Sequence, residues 1–199
     1  MSERVIPKWK RLLFGALAAK NVSHKLAYIA VVTAFVVVAN MFFEFKLAET
    51  QFSLTIFFSA LSGLLIGPVF GFCACFLGDL VGYFYHSAGY AYMPWIGIAM
   101  GVTALLAGLI VGGLDYKSRG FLYVKLALVC VLTFLICTIA INTTAFWLLY
   151  AKGKVGYFTY LVSRIFVQGQ IWNSLVNYAL LFIAVPVLAR IRPLKLYLK

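Results

Sequence analysis

The sequence predicts an all-α integral membrane protein with six transmembrane helices and both termini in the cytoplasm. Three observations predict it. Of the 199 residues, 64% are hydrophobic, against about one half in soluble domains, and the mean hydropathy is +1.00. Several apolar runs approach or exceed the roughly 20 residues that a helix needs to cross a bilayer at 1.5 Å per residue. The basic residues flank those runs unevenly, which orients the chain.

Residues 1–24 are polar and basic, with Arg4, Lys8, Lys10, Arg11 and Lys20. The stretch "LLFGALAA" within them is too short for a secretory leader and reads as a retained segment on the membrane surface. The first span covers about Lys25 to Phe43 and is followed by the loop "EFKLAE". The second runs from about Gln51 to Ile66 and stops at Gly67 and Pro68. The third runs from Pro68 to about Tyr85. Gly89 and Pro94 mark the next connection as a loop. The fourth covers about Pro94 to Gly113, the fifth about Leu126 to Tyr150, and the sixth about Phe158 to Ala189. The tail "RIRPLKLYLK" is basic. One membrane domain is expected over 1–199: a cytoplasmic segment at 1–24, a six-helix core at 25–189 and a cytoplasmic tail at 190–199.

Six spans put both termini on one side. That side carries the basic residues of the N-terminal segment with Lys25, then Lys117, Arg119 and Lys125, then those of the tail. The other side has Lys46, Lys152 and Lys154. The bias places the richer side in the cytoplasm. It also accounts for the net charge of +12 as topology and headgroup contact, so a nucleic-acid function is not expected. The four cysteines (Cys73, Cys75, Cys130 and Cys137) lie in apolar runs and read as packing residues. No metal site is expected.

An ionised group inside a span costs at least about 2.5–3.5 kcal/mol. Asp79 and Arg164 are the two such residues. Helix rise puts each roughly 10 Å below the outer surface, so they can meet. Either they form a structural bridge, or one or both face a ligand. On a regular sixth helix, Arg164, Gln168 and Trp172 share one stripe, and Gln170, Asn173 and Asn177 share another, roughly opposite. The Arg164 stripe is the better candidate for the ligand. Asn40 and Asn142 sit at a similar depth, beneath the aromatic residues Tyr92, Trp95 and Trp147. Polar groups of several spans therefore converge on a pocket open to the outside, suited to a flat polar molecule. Ala27, Ala30 and Ala34 share a face of the first span, where small residues allow close approach, either inside the bundle or to a partner. No nucleotide, metalloprotease or Ser-His-Asp pattern occurs, so no enzyme is expected.

The order of these features resembles the substrate-binding S components of energy-coupling factor (ECF) vitamin transporters. The resemblance rests on Ala30-x-x-x-Ala34, on "FFSALSGLLIGPVFGFCACFLGDLVGYF", on "GYAYMPWIGIAMGVTALLAGLIVG" and on "INTTAFWLLYAKGKVGYFTYLVSRIFVQGQIWN". It is most similar to the folate branch, through its "GP", its Gly-Asp-Leu triplet, the Pro opening the fourth span, the Asn-Thr of the fifth and the Arg of the sixth. The resemblance implies a prokaryotic plasma-membrane protein that binds a vitamin at the outer face and performs no chemistry. It implies partners: a transmembrane coupling subunit and two ATPases, which use the ATP, while this chain carries no cofactor. Ala30 and Ala34 would meet the coupling subunit. Glu44, Phe45, Lys46, Leu47, Ala48 and Glu49 would form a gating loop. Asp79 would then accept hydrogen bonds from a pterin-like ring while Arg164 holds a carboxylate. Another vitamin, a nucleobase-like precursor and a stand-alone secondary transporter are the alternatives.

Overall fold

The structure is a computed structural model and describes residues 8–47, 50–85, 91–112 and 119–188. A short helix α1 (Lys8–Phe14) and a 3-10 turn (Gly15–Ala19) lead into α2 (Val22–Phe42). Strands β1 (Glu44–Leu47) and β2 (Thr50–Ser53) form a hairpin. Helices α3 (Thr55–Ile66) and α4 (Pro68–Tyr85) follow. Helices α5 (Pro94–Gly112), α6 (Gly120–Ala151), α7 (Tyr157–Val167) and α8 (Gln170–Leu188) complete the bundle.

Among the described residues, five helices are long and apolar enough to cross a membrane: α2, α4, α5, α6 and α8. Large apolar side chains such as Phe35, Phe42 and Ile183 are exposed on them, which water would penalise and lipid tails accommodate. The protein is thus a multi-pass, largely helical membrane protein. Two of the six expected spans are built differently from a plain helix, and the chain is not wholly α.

The second span is the first departure. Gln51 and Ser53 belong to β2, and α3 has only 12 residues. At 1.5 Å each that is about 18 Å, short of the roughly 30 Å hydrocarbon core. The expected loop after α2 is an antiparallel hairpin with Phe45 opposite Phe52 and Leu47 opposite Thr50. The reason is visible in "EFKL": polar and apolar residues alternate, as a strand requires.

The sixth span is the second departure. It breaks between α7 and α8 at Gly169, whose φ is 71°. A residue with a Cβ is strained there, while glycine adopts the turn freely. The last turns of α7 are π-helical, and the Gln168 amide donates to the Ser163 carbonyl at 2.9 Å. The wider turn and the glycine together rotate α8 relative to the register that a regular helix would give.

The N-terminal segment does more than lie on a surface. Leu17 is buried with Val32, Ile66 and Ala74, and the ring of Phe14 stands 5.2 Å from that of Phe70. It packs against the turn joining α3 and α4.

Two further packing zones hold the bundle. Ala60, Leu64, Ala107, Leu126 and Leu181 unite α3, α5, α6 and α8. Val36, Cys75, Met100 and Ala104 unite α2, α4 and α5. Between α3 and α5 the backbones touch: a β-carbon on Gly63 would lie 1.8 Å from the carbonyl oxygen of Ala104. Without a hydrophobic drive between helices in lipid, such close van der Waals approach is what holds them together. Ala27, Ala30 and Ala34 do not take part. They are exposed, whereas the buried residues of α2 are Val32, Val36 and Ala39. Packing inside the bundle is therefore not what these alanines serve.

Candidate functional site

A cavity of about 160 Å3 lies among α5, α6, α7, α8 and the start of α3. Helix α5 contributes Ile96, Ala99, Met100 and Thr103. Helix α6 contributes Cys137, Thr138, Asn142 and Phe146. Arg164 comes from α7, Gln170 and Asn173 from α8, and Ser53, Thr55 and Ile56 from the hairpin exit and α3. The wall is mixed: one cation, three amides, several hydroxyls and an apolar remainder, as small-molecule sites are.

Helical irregularity places the polar groups. Cys137, Thr138 and Asn142 lie in a π-helical stretch of α6, Phe134–Thr143. There the Thr143 hydroxyl donates back to the Thr138 carbonyl at 2.7 Å. Arg164 lies in the π-helical end of α7. Such turns often mark functional sites, because they re-aim side chains without ending the helix.

The guanidinium carbon of Arg164 sits 4.2 Å from the centre of the Phe146 ring. This stacking offsets part of the cost of the buried charge. Trp95 packs on Phe146 in a T-shaped pair with ring centres 5.8 Å apart. Two buried atoms of lining residues make no hydrogen bond among the described residues: Arg164 Nε and Asn142 Oδ1. Native proteins rarely leave buried polar atoms unpaired without a functional reason.

The other expected site residues lie elsewhere. Asp79 and Tyr92 converge on α5 at Gly97, where a β-carbon would stand 2.9 Å from Asp79 Oδ2 and 3.2 Å from the Tyr92 hydroxyl. Burial, and then the carboxylate of Asp79, push the Tyr92 phenol up to about 12. It therefore stays a proton donor across the physiological range. Arg164 lines the cavity and Asp79 does not, so the structure does not bring the two together in one site. Asn40 lies against Gly82 between α2 and α4. The Trp147 indole donates to the Val155 carbonyl at 2.9 Å and closes the turn between α6 and α7. Gln168 is exposed, and Trp172 is 60% exposed. The π-helical turn Ser163–Val167 takes Gln168 off the Arg164 face, and the break at Gly169 separates Trp172 from it and turns Gln170 and Asn173 to the cavity instead. Of the gating loop, Glu44 to Leu47 form β1, and Ala48 and Glu49 lie outside the described residues.

This arrangement predicts the result of Asp79→Asn. Folded yield in detergent should fall, because the partner of this half-buried carboxylate is left mismatched at a cost of about 1–3 kcal/mol. Ligand affinity of the folded fraction should hold. Normal folding with at least tenfold weaker binding would put the carboxylate on the ligand instead.

A family model described as "ECF-type riboflavin transporter, S component" matches residues 20–193. The chain belongs to this S-component family. It is accordingly a transporter subunit, not an enzyme, of a family whose members bind a vitamin and work with ECF modules. No curated protein matches it. Two solved structures share the S-component fold. A crystal structure of FolT bound with folic acid is 19% identical, with a TM-score of 0.61, covering 79% of this chain and 88% of that one. The S component of a bacterial ECF transporter is 21% identical, with a TM-score of 0.62, covering 85% of this chain and 97% of that one.

Several lining residues of this S component carry no sequence signal of their own. Thr103, Cys137 and Thr138 look like ordinary small residues of apolar runs. Ser53 and Thr55 look like the start of a helix. Gln170 and Asn173 were legible as polar, but assigning them to the cavity requires knowing that the helix breaks at "QGQ".

Proposed function

We propose that this chain is the substrate-specific subunit of an ATP-driven ECF importer in the plasma membrane of a prokaryote. In this reading it crosses six times, α3 and the α7–α8 pair counting as one crossing each, with both termini cytoplasmic. It captures a vitamin at the outer face, in the cavity between α5 and α8. A coupling subunit meets the exposed Ala30 and Ala34 of α2, and two ATPases supply the energy. The chain itself needs no cofactor.

Folate is the vitamin we propose. The observation that carries this is the half-buried Arg164, stacked on Phe146 at the cavity wall, its buried Nε unpaired among the described residues. A fixed guanidinium suits a carboxylate, and the Asn142 carbonyl suits a ring N–H donor. Riboflavin is the second reading, favoured by the description of the matching family model and by the many uncharged hydroxyls and amides of the wall.

Native mass spectrometry of the detergent-purified chain from rich medium decides between them, because the retained mass names the vitamin. An empty protein that binds neither compound by calorimetry would overturn vitamin capture at this cavity.

A further inference from the structure

Ser53 is the last residue of the hairpin, and it lines the cavity together with Asn173 of α8. The Ser53 amide donates to Asn173 Oδ1 at 3.0 Å. The Ser53 carbonyl accepts from Asn177 Nδ2 at 2.7 Å. Asn177 Oδ1 accepts from the Phe57 amide at 2.9 Å. Both backbone groups of one residue and an orphan amide in the first turn of α3 are thus satisfied by two side chains of a helix more than 100 residues away. Asn177 is fully buried and Asn173 nearly so. Asn177 Nδ2 also donates to the Asn173 carbonyl at 2.8 Å, which fixes its orientation.

Ordinarily a helix start is capped by a residue just before it. Leu54 precedes α3 and has no side-chain oxygen to offer. The cap on the Phe57 amide comes from α8 instead, so α8 helps to hold the hairpin exit and the first turn of α3 in place.

We infer that Asn173 and Asn177 are positioning residues: a latch that ties the hairpin exit and the first turn of α3 to α8 and sets how fast the cavity opens. The inference rests on the reading of the cavity as the vitamin site. When the latch is made, Ser53 stands in the wall. For the hairpin exit and the first turn of α3 to lift away from α8, these three part-buried hydrogen bonds must break together, and each group released must find another partner.

The test combines hydrogen exchange and ligand kinetics on the full-length protein in detergent. Asn177→Leu and Asn173→Leu remove latch bonds, while Asn173→Asp keeps an acceptor for the Ser53 amide. Exchange of the segment Ser53–Phe57 should speed up about tenfold in the leucine variants, the scale of one buried hydrogen bond, and should return towards the parent rate in Asn173→Asp. Association and dissociation of folate or riboflavin, whichever the parent retains, should both accelerate in Asn177→Leu. Faster dissociation with unchanged association would mean that a ligand contact was lost, and would overturn the latch. So would unchanged exchange. If Asn177→Leu does not fold, the Asn173 pair carries the same comparison. If the parent binds neither vitamin, the importer reading fails, and the latch is judged by exchange alone.

Discussion

Replacing Arg164 by glutamine is expected to weaken vitamin binding by roughly 10- to 150-fold. That range corresponds to a charged hydrogen bond worth about 1.5–3 kcal/mol. The same change should leave the ligand-free protein as stable as before, or more so. Arg164 is a half-buried cation that, in the six-crossing reading, lies at membrane depth, where even a lenient scale charges it about 2.5–3.5 kcal/mol. Its contact with the Phe146 face, 4.2 Å away, recovers about 0.5–2 kcal/mol. A residue that costs the empty protein something and is kept nonetheless is one that the ligand rewards. Calorimetric titration and thermal unfolding in detergent measure the two effects separately. Unchanged affinity would remove Arg164 from the site. A large loss of stability would make it a structural residue.

The second large effect is expected at Gly63. Gly63→Val should abolish folding or lower stability by at least about 3 kcal/mol, beyond the usual 1–3 kcal/mol of overpacking. The atoms that a β-carbon would strike are backbone atoms of α5: the Ala104 carbonyl oxygen at 1.8 Å and its carbon at 2.6 Å. Neither can rotate aside, so the two helices must part. Gly112→Ala is the control, since a β-carbon there meets nothing within 4 Å and the change should be close to neutral. Recovery of monodisperse protein by size exclusion, followed by a melting curve, distinguishes the two. A Gly63→Val protein that melts with the parent would refute the close packing of α3 on α5.

Much of this architecture could be read before any coordinates. Pro68 and Tyr85 bound α4 as the sequence predicts, because "GP" stops one apolar run and starts the next. Arg164 stands out by charge alone, and it does line the cavity. What could not be read depends on departures from the regular helix. The stripe of Arg164, Gln168 and Trp172 assumes 100° per residue through Gly169. The chain instead widens at Ser163–Val167 and turns at Gly169 with φ of 71°. Everything after it is re-registered, and Asn173 rather than Trp172 reaches the cavity. The partners of Asp79 were equally hidden. Two charges at equal depth look like a pair, but depth says nothing about which side of α5 each one occupies. The hairpin was legible in principle from the alternation in "EFKL", which is easily lost between two long apolar runs.

The contact at Gly63 also divides the molecule by tolerance to change. On one side of α5, glycine-lined seams join α3 and α4 at backbone distance, and almost any substitution there breaks the assembly. On the other side, α6, α7 and α8 meet α5 across a cavity whose wall is made of ordinary side chains. A new ligand preference can therefore arise by exchanging residues on α6 to α8, while the half that secures the fold stays as it is. The helix that both halves share, α5, is then where inheritance and novelty meet: Ala104 belongs to the seam, and Thr103, one residue earlier, belongs to the wall.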